Sequence, residues 1–193
     1  MCRRIVLVSL LIGLSAAAFG AVQVDTRAEL SAFEARLATY VETHRRLEGP
    51  LPPMLATSDM DEVYRLMTAL RARIRAERKD QAQGSLLTPA VSGLLRERIS
   101  SCMTADEIEQ TMEDIEEHTP RDMPPVRVNE PLPEDAPFGW LPPLALRALP
   151  PLPPELRYVV LSKSLIIWDH HADMVVDIAP GVFDAATYRK RTQ

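Results

Sequence analysis

The side chains with the most evident chemistry lie close together near the C-terminus: Asp169, His170 and His171, with Asp173 two positions on. Two imidazoles and a carboxylate would suit zinc or copper. Adjacent residues of a strand point to opposite faces, so His170 and His171 reach one ion only if the chain turns there. The same composition also predicts a plain turn, because Asp and His tolerate unusual backbone dihedrals. The metal candidates are thus Asp169, His170, His171 and Asp173, with a structural turn as the competing reading. His44 is a second titratable group, on the apolar face of an N-terminal helix, where a partly buried structural histidine is expected. Cys102 follows Val91, Leu94, Leu95 and Ile99 at helical spacing and is expected to be buried and inert. No Gly-x-Ser-x-Gly, Cys-x-x-Cys, P-loop or dinucleotide fingerprint is present, so no catalytic residue and no cofactor are assigned.

The elements that must position these groups follow an N-terminal address. Arg3 and Arg4 precede an apolar stretch, and small residues follow through Ala21. That order is a secretory signal peptide, cut after Gly20 or Ala18. The alternative is an uncleaved anchor, since residues 5–24 are uncharged and just long enough to span a bilayer. Without residues 1–20 the chain keeps 20 basic and 27 acidic residues, a net charge of −7, and Cys102 as its one cysteine. The acidic balance argues against a nucleic-acid partner. The 193-residue length argues against a large multidomain enzyme, and the 46% hydrophobic content against a disordered chain.

Apolar spacing predicts a helix over 25–48, with Asp25 or Thr26 as cap and Gly49-Pro50 as stop, glycine for a left-handed conformation and proline because it cannot continue the ladder. A second helix is expected from Ser58 to about Gln83, with Gly84 as its stop. Thr88-Pro89 opens a third, to about Ser101, and the Thr104/Glu107 capping box opens a fourth, to about His118. Four antiparallel helices would make a small bundle. The acidic fourth helix could pair with the arginine-rich end of the second or meet an external basic partner; a solvated face is the default. Residues 119–154 hold twelve prolines in 36 and cannot form a regular helix or central strand. Their large apolar residues predict a strap laid across the helices, with one short helix over 143–149. Residues 157–161, 165–169 and 174–178 read as an antiparallel β-meander.

Several blocks then resemble an uncharacterised family of short exported bacterial proteins. They run from Tyr40-Val-Glu-Thr-His44 through Leu51-Pro-Pro53, Ile74-Arg-Ala-Glu-Arg78, Val126-Arg-Val-Asn-Glu-Pro131 and Leu149-Pro-Pro-Leu-Pro-Pro154. The last block is Leu165-Ile-Ile-Trp-Asp-His-His-Ala-Asp-Met-Val-Val-Asp177. The resemblance implies export but no activity or catalytic residue. Where the family often has Gly-Asp-Ile-Phe-Thr-Pro, this chain has Gly84-Ser-Leu-Leu-Thr-Pro89. The Asp-His-His triplet is similar to a motif of metal-dependent phosphoesterases, but the further aspartates and length of those enzymes are missing.

The sequence therefore predicts an α+β chain, mostly helical: signal peptide 1–20, helical region 21–118, proline-rich strap 119–154, and β-meander with tail 155–193. The expected function is that of an exported periplasmic or extracellular protein, a non-enzymatic interaction module. Phe138 and Trp140 on the strap are its partner-binding candidates, and the partner is an envelope protein or component. Membrane contact is peripheral unless the signal peptide stays, with Arg189, Lys190 and Arg191 as a weakly attractive basic tail. The alternative is a small metal-binding or hydrolytic protein using Asp169, His170 and His171, with help from His44.

Overall fold

The computed structural model describes residues 25–53, 59–137 and 141–189. The signal peptide, Ser58, Phe138, Trp140, Lys190 and Arg191 lie outside the described residues. Within them the fold is α+β and mostly helical: α1 (Thr26–Glu48), α2 (Met60–Glu77), α3 (Pro89–Ser100), α4 (Ala105–Glu117), α5 (Pro143–Ala148), β1 (Leu156–Leu161), β2 (Ser164–Asp169), β3 (Met174–Ala179) and α6 (Ala185–Arg189). No helix among the described residues is long and apolar enough to cross a membrane.

The helix starts follow their caps. Asp25 accepts from the Arg27 and Ala28 N–H groups, Asp59 from those of Asp61 and Glu62, and Thr104 with Glu107 closes a full capping box. Thr88 caps α3, with Pro89 in its first turn. The helix ends depart from expectation. Gly49 is right-handed (φ −49°) and not left-handed, so it continues the helical turn, and Pro50, expected as part of the stop, ends it for want of a donor. α2 stops at Glu77, well before Gly84, because Arg78 is drawn into the interior. There its Nε donates to Asn129 Oδ1 (3.0 Å) and its Nη2 to the Val176 carbonyl (2.9 Å). Gly84 takes its positive φ (+84°) in the following loop instead.

α1 packs against α2 and α3, α3 against α5, and α4 against α6. The acidic face of α4 is met by Lys163, through Glu116 (3.5 Å), and by Arg189, through Glu109. The α2 arginines instead reach Asp173, Glu130 and the core. Lys163, which meets Glu116, sits in the β1–β2 turn. That turn is Ser162-Lys163, both left-handed (φ 49° and 61°), a two-residue geometry whose twist matches the flanking strands.

The sheet has the order β1-β2-β3, antiparallel throughout. A bulge between Ile167 and Trp168 leaves Val176 without a partner on β2, and its carbonyl is the one that receives Arg78. All six residues of β3 are buried. The proline strap touches this strand's outer edge: Asn129 N–H donates to Val175 O (2.8 Å), and Val175 N–H to Glu130 O (2.9 Å). Asn129 sits there with φ 64°. The strap also contributes Leu132, Ala136, Leu141, Ala145 and Leu149 to one continuous core with Phe33, Leu37, Leu70, Leu95 and Ile167. It is thus pinned to the body, where fully burying one Leu or Phe stabilises by about 1.5–3 kcal/mol.

Candidate functional site

One ridge of α1 carries Tyr40, His44 and Glu48, four residues apart, so their side chains stack along a single face. This ridge meets the turn between β2 and β3. Asp169, at the end of β2, is fully buried. Its Oδ1 accepts the N–H groups of His171 and Ala172, both at 3.0 Å. Its Oδ2 accepts the Tyr40 hydroxyl at 2.6 Å and lies 2.6 Å from His44 Nδ1. The other nitrogen of His44, Nε2, lies 3.0 Å from Glu48 Oε2. The second Glu48 oxygen is 2.9 Å from His171 Nδ1.

Both nitrogens of the fully buried His44 therefore face carboxylates. A neutral imidazole has one N–H and one lone pair, and would turn that lone pair against a carboxylate oxygen. The position calls for positive charge. Burial by itself would lower the His44 pKa, but the hydrogen bond and charge of Asp169, with Glu48 behind them, raise it above the ordinary histidine value. Burial, and then the nearby Asp169 charge, push the Tyr40 hydroxyl well up, so it remains a donor.

Among the described residues, His44, Glu48 and His171 form the group able to hold a metal ion, with one ligand atom of each within 4.8 Å of the others. A tetrahedral ion with bonds of about 2.0 Å spaces its ligands about 3.3 Å apart. Glu48 and His171, partly exposed, have room to close that difference. Asp169 would stand behind His44 as the carboxylate that fixes the tautomer and aims the ring.

Of the four metal candidates expected from sequence, His171 alone belongs to this group. Asp169 has both oxygens engaged as described. His170 sits 2.8 Å, through Nε2, from the Pro154 carbonyl, and ties the turn to the strap. Asp173 faces the other way: it accepts from Arg71 (2.9 Å) and from Trp168 Nε1 (3.2 Å). Its φ of 44° is the turn dihedral that aspartate tolerates. His44, expected as a structural histidine, lies at the centre. Glu48 escaped notice, although its position four residues after His44 on a helix was visible.

Asp177, on β3, was missed altogether. It is fully buried and accepts four backbone N–H groups: Gly84 (2.7 Å) and Ile178 (2.8 Å) on Oδ1, Leu86 (2.7 Å) and Leu87 (2.8 Å) on Oδ2. It thereby shapes the loop before α3. Cys102 is half-buried; its thiol donates to Ile99 O (3.2 Å), and burial, then Glu107, raise its pKa. That environment disfavours the thiolate. Comparison of the chain with protein-family models, with curated proteins and with solved structures returns no match.

Proposed function

We propose that the protein is an exported binding protein for a divalent transition-metal ion of the zinc class, held by His44 Nε2, Glu48 and His171 Nδ1. The observation that carries this reading is the buried imidazole with a carboxylate at each nitrogen, one of them shared with a second imidazole. Such a pocket favours a cation, and two nitrogens with one carboxylate suit zinc while leaving a fourth position open. Export rests on the N-terminal sequence and on the resemblance to short exported bacterial proteins. A binding role, rather than catalysis, agrees with the lack of a recognisable nucleophile or cofactor motif.

The test is calorimetric titration of the chain lacking residues 1–20 with Zn2+ and with Cu2+, alongside thermal melts. Expected is one ion per chain and a melting temperature that climbs with free metal, by about 2.7 kcal/mol of stability at a hundredfold excess over Kd. Glu48→Gln should weaken binding at least about tenfold. His170→Ala should leave it unchanged, because that imidazole points to the strap. No stoichiometric uptake of either ion, or equal losses in the two variants, overturns the reading.

A further inference from the structure

We infer a second site, for a small oxyanion, in the cleft between α1 and the loop that joins α2 to α3. This goes beyond the metal reading and does not depend on it. The cleft has a volume of about 270 Å3. Its distinguishing wall is Arg78, only 8% exposed. Two of the guanidinium nitrogens are spent on Asn129 and Val176, and the group lies 5.0 Å from the centre of the Tyr40 ring. The third, Nη1, makes no hydrogen bond to any described residue. No described carboxylate comes within 4.0 Å of these nitrogens. Asp177 and Asp169, the acids on the packed sheet, act on Arg78 only through space, and both are saturated by other donors.

Two residues that line the same cleft, Arg36 and Ser85, each carry a further buried donor. Arg36 donates from Nη2 to Leu86 O (3.2 Å), but its Nε is buried without a partner among the described residues. Ser85 Oγ is likewise buried without a partner among the described residues. The one carboxylate in the lining, Glu77, pairs with Arg46 at 3.2 Å. A buried guanidinium without a counter-ion is costly, and a buried donor left unmade carries its full desolvation penalty. An oxyanion would supply the missing counter-ion: guanidinium forks match carboxylate and phosphate oxygens, and rotation of the Arg36 and Ser85 side chains would turn their unpartnered donors toward it. The volume is below the roughly 300–1,000 Å3 of sites for drug-sized ligands, so the ligand is a free anion or one anionic group of a larger molecule.

The experiment titrates the metal-free chain lacking residues 1–20 with inorganic phosphate and, separately, with citrate in low-salt buffer. Calorimetry gives affinity, and the arginine side-chain N–H resonances report the site. We expect at least one anion to bind and shift the Arg36 Nε–H signal. Binding of phosphate identifies a phosphoryl ligand; binding of citrate alone identifies a carboxylate. Arg36→Gln should cut affinity about tenfold or more, and Ser85→Ala several-fold, with parental melting curves. Failure of both anions to bind at roughly 10 mM, or unchanged affinity in Arg36→Gln, overturns the inference. Zinc uptake measured on Arg36→Gln should stay parental, so failure here is distinguishable from failure of the metal reading.

Discussion

Replacing Asp169 with asparagine tests the network at its most enclosed point. The carboxylate is fully buried, and its two oxygens serve four donors. Asparagine keeps the volume and can still offer its carbonyl to the N–H groups of His171 and Ala172. Its amide NH2 must then stand where Oδ2 stood, donating toward the Tyr40 hydroxyl and His44 Nδ1, both 2.6 Å away. Breaking one side of a buried ion pair costs about 3–5 kcal/mol. The Tyr40 hydroxyl can rotate and accept, which recovers part of that, so the expected loss is about 3 kcal/mol. For a chain of this size such a loss lowers the melting temperature by about 6–12 °C. Urea denaturation and thermal melts of the metal-free protein read this directly. Asp173→Asn is the control: its ion pair with Arg71 is partly exposed and should matter by no more than about 1 kcal/mol. An Asp169→Asn protein within about 1 kcal/mol of the parent, or a control that costs as much, would show that the buried pair does not hold α1 to the sheet.

Other outcomes follow from the same geometry. Asp177→Ala should leave four backbone N–H groups without their acceptor and destabilise by more than about 4 kcal/mol, with Gly84, Leu86 and Leu87 losing protection first in hydrogen exchange. Parental exchange at those amides would refute the role given to this carboxylate. Glu155 gives an acid-side prediction. Burial raises its pKa, but the Arg45 hydrogen bond (2.6 Å) outweighs that and holds it below the ordinary 4.5. A folded pKa that is depressed contributes stability above 4.5, and this is lost as pH falls from 4.5 through the folded value. Arg45→Ala should flatten that part of the stability–pH curve, and an unchanged slope would remove the pair from the account. Protons compete with metal for the His44 imidazole, whose pKa burial lowers but Asp169 and then Glu48 raise on balance, so zinc affinity should rise with pH through and above the ordinary histidine value; a flat profile would argue against an imidazole ligand.

Much of the framework was readable from local signals. Asp25, Thr88-Pro89 and Thr104/Glu107 act within one turn of chain, and they start helices where expected. The three strands alternate with turns short enough to leave little choice of topology, and they form the antiparallel meander. Helix ends were less legible, since α2 stops where a buried bond from Arg78 to Val176, 98 positions along the chain, becomes better than another helical turn. The strap's prolines excluded regular structure, but its docking onto β3 depends on the Val175 N–H and C=O, which face the outer edge of the sheet.

The candidate site divides in the same way. Residue order determined that Tyr40, His44 and Glu48 share one ridge, because a helix returns to the same face every three to four residues. It also determined that Asp169 to Asp173 form a turn, because the strands on either side are too short and too close to do otherwise. Only the tertiary structure decided which turn residues meet that ridge. Asp169 and His171 face α1, His170 faces the strap, and Asp173 faces Arg71. Hydrogen bonds between groups more than a hundred residues apart have no local signature. Their partners are chosen by how the helix packs on the sheet and by the cost of leaving a buried charge unpaired.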